Sequence, residues 1–437
     1  MNLLKNKIKN SKFFKIKSSK ISKNKKAKKS KKSSSSKFLK FLKKEDTYSN
    51  KDICVVSFSS LVFGFVLCLF IFMLITGGAN IVTLCFELKD FIKSYTALTS
   101  SYYKDVDKNT LVDAAINGMY SSLDDEFTTY INPQDSEDFS QTVEGEYEGI
   151  GCTVLTDQDG NIIVFNIFEN SPAAKAGLKV GDIVVSIDGE DYSEKTSSDM
   201  ADYIKNSSKS KFVLTIIRDE EKKDLTVTRK KVEIPTVTST TYTMNSQIIG
   251  YLKISSFSNV TYKQFKENLT ELEKNNITGL IIDVRNNGGG YLNSVTDISS
   301  LFLPKGKVIY QLETEKGITK IKDTTKTKKT YPIAVLVNKN SASASEILTS
   351  VIKESYGGTI IGTNTFGKGT VQETMNMKDG SIIKYTTKKW LTPNGNWINE
   401  VGVEPTIKLE LSDEYYENPT TENDNQLQEA LKILTTP

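Results

Sequence analysis

The stretch TGLIIDVRNNGGG, residues 278–290, decides how the longest part of this chain is read. Its first half is a short apolar run bounded by turn-forming residues, the pattern of a buried strand. It runs directly into Gly288, Gly289 and Gly290, residues that let backbone approach another segment closely. The same grammar continues on both sides. IIGYLKI (248–254) reads as a strand, and TYKQFKENLTELEKN (261–275) as an amphipathic helix. YPIAVLVN (331–338) is a second buried strand. SASEILTSVIKESYGG (343–358) is a helix with a glycine stop, and GTIIGT (358–363) is another strand. Buried strands alternating with helices specify an α/β fold. Residues 305–330 are Lys/Thr-rich and polar, an exposed loop or hairpin, and TPNGNW (392–397) is a turn. NDNQLQEALKIL (423–434) closes the chain as a helix with Leu427, Ala430, Leu431 and Leu434 on one face.

Upstream the pattern changes twice. Residues 144–232 hold short apolar or alternating runs, among them IGCTVL, NIIVFNI, DIVVSIDG and FVLTIIR, separated by turn signals and one helical stretch near 197–206. That predicts a compact barrel-like β domain. Residues 87–140 read as helical, with Leu88, Phe91, Ile92, Tyr95 and Leu98 at helical spacing, and again Leu111, Ala115 and Met119.

The 437 residues carry a formal charge of +4 that hides an asymmetry. Residues 1–52 hold 19 Lys against Glu45, Asp46 and Asp52, a segment charge of +16, so the remainder is −12. Between them, Ile53 to Phe86 holds no charged residue. The run 53–76 exceeds the roughly 20 residues that cross a bilayer and outlasts the apolar region of a signal peptide. It predicts an uncleaved transmembrane anchor, with the Lys-rich tail in the cytoplasm and the body outside. The tail reads as a basic arm that touches anionic lipid. With few aromatics among its lysines, Phe13, Phe14, Phe38, Phe41 and Tyr48, it argues against nucleic acid. Only Cys152 lies in the body, so no disulfide framework is expected. The chain has no His, which excludes a Ser-His-Asp triad, a Cys-His dyad and His-ligated zinc. No metal or cofactor is implied.

Three serines, Ser341, Ser343 and Ser345, precede the 343 helix. Ser343 followed by Glu346 is a capping box, with Ile347, Leu348, Val351 and Ile352 on the buried face. One of these serines is also a candidate nucleophile, because TNTFGKGTVQ (363–372) places Lys368 between two glycines just after an apolar strand. Burial lowers a lysine's pKa, and a neutral lysine beside a hydroxyl can act as its base. Gln372, four residues on, is placed to hold the amine. The glycines after RNN and the Ala344 N–H at the helix start can together present donors to a developing oxyanion.

These residues resemble two known families. NSPAAKAGLKVGDIVVSIDG (170–189) follows the bacterial PDZ pattern almost residue by residue, and EYEGIG (146–151) stands where such domains capture a peptide carboxylate. The resemblance implies binding of a C-terminal peptide at Gly149, Ile150 and Gly151 by strand addition. VNKNSASASEI and GTNTFGKGTVQ, with IIDVRNNGGG and SLDDEFTTYINP upstream, resemble the C-terminal processing peptidases over residues 87–437. That resemblance implies Ser343 as nucleophile, Lys368 as general base, Gln372 as its partner, and Gly288 or Gly289 with Ala344 as oxyanion donors. It implies a crotonase/ClpP-like α/β protease core, protein substrates taken by an apolar C-terminal end, and self-association through the helical ends. The sequence departs from the family's pattern at Glu126, where Pro is common. The organisation so read is a tail (1–52), a transmembrane helix (53–76), a helical domain (87–143), a PDZ domain (144–232), a protease core (233–410) and a C-terminal helical segment (411–437).

Two other motifs fail on their chemistry. GTNTFGKG (362–369) lacks the hydroxyl residue that a phosphate loop needs after its lysine, since Gly369 stands there. SVIK (350–353) fits the Ser-x-x-Lys of penicillin-binding proteins but has no Ser-Asp-Asn or Lys-Thr-Gly partner. The remaining alternative is a membrane-tethered PDZ scaffold whose protease site is idle.

Overall fold

A computed structural model describes residues 49–75, 81–326 and 329–436, which form two compact units divided after Lys108. Most of the basic tail lies outside the described residues. In the first unit the helix Asn50–Ile75 is long and apolar enough to cross a membrane, by length and composition. The short helix Ile81–Glu87 and the helix Lys89–Ser101 follow. The latter buries none of its residues, and Phe91 and Ile92 remain about half exposed. This region is helical, as its spacing predicts.

The second unit starts with the helix Lys108–Ser121, then strand β1 (Thr129–Ile131) and the helix Pro133–Glu144. The purely helical reading of 87–143 is corrected at β1, where three residues form a strand. Thr-Tyr-Ile has strand-favouring side chains, but three residues are too few for alternation to register in a sequence.

Strands β2 (Glu146–Gly149), β3 (Cys152–Thr156), β4 (Ile162–Ile167), β5 (Ile183–Ile187), β6 (Glu190–Asp191), β7 (Lys211–Arg218), β8 (Glu221–Thr228) and β9 (Lys230–Glu233) build the β domain. The main sheet runs β3-β4-β5-β7-β8 with β6 on β5, and β2 pairs with β9. Alternation sends Phe212, Leu214 and Ile216 of β7 inward with Ile162 and Val164 of β4. The helix Ser197–Asn206 starts on a Thr196–Asp199 capping box. The Asp of the turn Gly181–Asp182 is buried and accepts from Arg218 Nε and Nη2 at 2.6 and 2.7 Å. That pair fastens the turn to β7.

The α/β core holds β10 (Val237–Met244), β11 (Gln247–Ile254), β12 (Gly279–Asp283), β13 (Val308–Thr314), β14 (Gly317–Lys322), β15 (Ile333–Val337), β16 (Thr359–Gly362), β17 (Thr370–Asn376), β18 (Ile382–Leu391) and β19 (Ile407–Lys408). Six of them form one sheet in the order β10-β11-β12-β15-β16-β19, parallel from β11 onward. Every residue of β12 and β15 is buried, because both faces are covered. Leu280, Ile282, Val335 and Val337 pack with Phe265, Ile298 and Ile347 of three helices. Ile281, Ala334 and Leu336 pack with Leu427, Leu431 and Leu434 of the terminal helix Asn425–Thr435. A second sheet, β1-β18-β13-β14 with β17 on β18, carries residues 308–322 of the polar segment as the β13–β14 hairpin. The helix after Ser343 is α-helical for Ala344–Ser350 and π-helical for Val351–Tyr356, then stops at Gly357 with φ 90°.

Candidate active site

The three serines part company in space. Ser341 is fully buried and its hydroxyl donates to the Val284 carbonyl at 2.8 Å. Ser345 is also fully buried and donates to the Asn287 carbonyl at 2.8 Å. Both hydroxyls are committed to pinning the helix start onto the loop after β12. Ser343 is partly exposed, with φ 53° and ψ −112°. A residue other than glycine holds such a conformation only where its surroundings enforce it, at about 1–3 kcal/mol of local strain.

Glu346 does the enforcing. It is fully buried, and its Oε2 accepts the Ser343 N–H at 2.8 Å. The same oxygen accepts the Lys368 N–H at 2.9 Å, while Oε1 accepts from Thr365 Oγ1 at 2.6 Å and the Gly367 N–H at 2.7 Å. Burial raises the carboxyl's pKa, and these four donors oppose the rise. The expected Ser343–Glu346 capping box is present, with its short hydrogen bond on the Glu side. The Glu346 N–H also bonds the Ser343 carbonyl at 2.9 Å.

The glycines beside Lys368 are used for close approach. A Cβ on Gly367, at φ 92°, would stand 2.9 Å from Glu400 N, and one on Gly369 2.6 Å from Trp397 Nε1. The Lys368 carbonyl accepts from Trp390 Nε1 at 2.7 Å, so a wall of two tryptophans backs the loop. The Lys368 amine is largely buried. Desolvation, with the Lys384 charge second, lowers its pKa to about 8 against the opposing pull of Asp125, Glu126 and Glu346.

Two side-chain contacts expected from the sequence are not formed among the described residues. Among the described residues no hydrogen bond joins Lys368 Nζ to Ser343; the ammonium lies over the Phe127 ring, 4.1 Å from its centroid. Gln372 does not reach the amine either. Its Nε2 donates to Thr370 Oγ1 at 3.0 Å and Thr386 Oγ1 at 3.1 Å. A register shift between Val371 and Gln372 sets the side chain's direction, which residue spacing alone could not show. Sequence reasoning also confined the 123–132 segment to the helical region. Instead Asp125, Glu126 and Phe127, with Thr370, Thr386 and Trp397, help line a cleft of about 810 Å³.

Of the oxyanion candidates, Gly289 (φ 98°) packs against the serine: a Cβ there would lie 2.7 Å from Ala342 O and 2.9 Å from Ala344 N. Its own N–H is taken by Asn287 Oδ1 at 2.9 Å, so it is not a free donor. Among the described residues the Gly288 and Ala344 N–H groups have no acceptor.

In the β domain, Gly149 and Ile150 are buried and Gly151 turns the chain at φ 78°. The Ile150 and Gly151 carbonyls accept from Ala173 and Phe168 N–H groups at 2.8 and 3.0 Å, leaving the loop held from behind. The Tyr147 ring lies directly against Gly149.

Comparison with known proteins matches this layout. Residues 248–409 match Peptidase family S41, residues 149–228 the PDZ domain, and residues 79–135 the activating protease CtpB N-terminal domain. Together they define the class, a serine protease with an inserted PDZ domain. Over 344 residues the chain is 41% identical to the carboxy-terminal processing protease CtpB of Bacillus subtilis (strain 168), covering 78% of this chain and 70% of that one. It is 37% identical over 323 residues to CtpA of the same organism, covering 74% and 68%. A solved structure from Bacteroides fragilis, provisionally assigned to the S41 proteases, aligns over 78% of this chain and 96% of its own. Its TM-score is 0.50 at 16% identity, a likeness of fold. The chain belongs to the carboxy-terminal processing proteases of peptidase family S41.

Proposed function

We propose that this protein is a membrane-anchored serine endopeptidase working through a Ser343/Lys368 dyad on extracytoplasmic proteins, which it engages by their C-terminal ends. The observation that carries the reading is Glu346, whose single oxygen bridges the backbone N–H groups of Ser343 and Lys368. Ser341 and Ser345 are fully buried with their hydroxyls donated to backbone carbonyls, while Ser343 is partly exposed and, among the described residues, its hydroxyl donates to no partner.

In this mechanism the Lys368 amine leaves the Phe127 ring in its neutral form and takes the Ser343 hydroxyl proton. Gln372 turns to orient it. The serine oxygen adds to the scissile carbonyl, whose developing charge is received by the Gly288 and Ala344 N–H groups. Lys368 returns the proton to the leaving amine, and water hydrolyses the acyl-enzyme by the same steps in reverse. The loop at Gly149, Ile150 and Gly151 receives the substrate's terminal carboxylate, with the chain added to the edge of β3. The helix Asn50–Ile75 anchors the protein in one pass, with the Lys-rich side in the cytoplasm.

The test uses the full chain in detergent with β-casein and with a peptide ending in apolar residues. Cleavage that disappears in Ser343→Ala and in Lys368→Ala establishes the dyad. Retained binding without any cleavage by the unaltered chain would establish the alternative, a tethered PDZ scaffold with an idle site.

A further inference from the structure

We infer that Phe127 is a positioning residue for Lys368: its ring face holds the ammonium in the charged state in the resting enzyme, and so sets the pH at which the base becomes available. This rests on the dyad reading above. The first observation is the contact itself, Nζ at 4.1 Å from the ring centroid. An aromatic face attracts a cation through its quadrupole and has no comparable attraction for a neutral amine. Ring-bound and base-competent are therefore opposed states of one side chain.

The second observation is that the ring is not adventitiously placed. Asp125 Oδ1 accepts the Phe127 N–H at 3.0 Å, and its Oδ2 accepts from Thr128 Oγ1 at 2.6 Å. Thr128 Oγ1 in turn accepts the Thr386 N–H at 3.0 Å, and Thr386 Oγ1 accepts from Gln372 Nε2. The turn is continuous with β1, which pairs with β18 from Thr129 opposite Lys384. One short turn thus engages both the lysine and the neighbour of the glutamine. The charges acting on the amine are Lys384 from β18, Asp125 and Glu126 from the turn, and Glu346 from the helix start. The ring adds to this balance a contact that discriminates charged from neutral at close range.

The experiment compares the full chain with Phe127→Leu and Phe127→Trp. Leu keeps apolar cover and removes the quadrupole; Trp strengthens it. The acid limb of kcat/KM is expected to move down by about 0.4–1.5 pH units in Phe127→Leu. That is a gain of about 3–30-fold in relative activity on the acid side. In Phe127→Trp the limb should stay or move up. A purely structural role would lower kcat at every pH and leave the midpoint where it was. A second readout needs no turnover: the pH dependence of Lys368 acetylation by acetic anhydride, in which the neutral amine attacks the anhydride and acetate leaves, followed by mass spectrometry in a Ser343→Ala background. The order Leu below Phe, with Phe at or below Trp, supports the inference. Unchanged titration in both variants, or an upward shift in Leu, overturns it. Should Phe127→Leu fail to fold, the Trp variant and a Phe127→Tyr variant carry the titration, and a downward shift in Trp overturns the inference. If Lys368→Ala still cleaves, the dyad reading fails instead, and the acylation series still decides the ring contact.

Discussion

At the residue scale the site is organised by a carboxylate that no reaction step consumes. Glu346 presents its two oxygens to four donors from the serine turn and the lysine loop. Glu346→Gln replaces one acceptor oxygen with a donor facing donors. About 1–3 kcal/mol of stability should go with each buried group left unpaired. Activity should fall by more than a stability loss explains, because the two loops lose their common tie. Thermal unfolding and kcat, measured on the same preparation, separate the two effects. The lysine makes the second prediction at this scale. With its pKa lowered to about 8, the neutral amine proposed as the base is the minor form below that pH and the major form above it. A plot of kcat/KM should rise about tenfold per pH unit on the acid side and level off above about 8. A profile flat from pH 5 to 9 would exclude Lys368 as the base. Lys368→Arg should be inactive throughout, since a guanidinium stays charged.

At the scale of elements, two loops meet the helix start, and glycine is what lets them. Gly289→Ala would force a side chain at φ 98° into Ala342 O and the Ala344 N–H. It should reduce kcat by about 10²–10³-fold, the range for a lost oxyanion donor, by displacing Gly288 and Ala344 together. Gly288→Ala meets no atom within 4 Å and should be far milder, because a side chain there leaves the N–H in place. Parallel kcat measurements on the two variants make the comparison. The PDZ loop offers a test of its own. If the loop captures the terminal carboxylate as proposed, converting it to an amide removes a charge-assisted bond, and kcat/KM should drop by about 10–100-fold. An equal rate for acid and amide would remove the carboxylate from recognition.

At the scale of the whole molecule, the terminal helix is bolted to the sheet through a buried polar cluster. Arg285 donates to Asp283, Asp424 and Gln426, and the Tyr251 hydroxyl donates to Asp283 at 2.7 Å. Arg285 lies two residues beyond the end of β12, and the helix caps on Asp424, whose Oδ1 accepts the Leu427 N–H. Arg285→Met leaves two buried carboxylates without their cation and should cost about 3–5 kcal/mol. Hydrogen exchange should show amides of 425–435 losing protection before those of β12 and β15. Coincident loss across both would mean the helix and sheet open as one unit.

Much of this was legible in the residues alone. The apolar runs at 279–283 and 333–337, short and bounded by turn residues, read as buried strands, and the alternation in 211–218 as a half-buried one, because side-chain period follows backbone geometry. The absence of His removed whole classes of mechanism by elementary chemistry. What the chain could not display was contact across long separations. The family resemblance singles out Ser343 among the serines at 341, 343 and 345, but only packing onto the 284–289 loop shows the other two hydroxyls taken up by backbone carbonyls. Nor could a string of letters bring Phe127 over Lys368, or turn Gln372 toward Thr386. Local pattern reports how a segment meets its own neighbours along the backbone. The environment of a charge or a hydroxyl is set by whatever the folded chain carries past it, and that was decided by the tertiary structure.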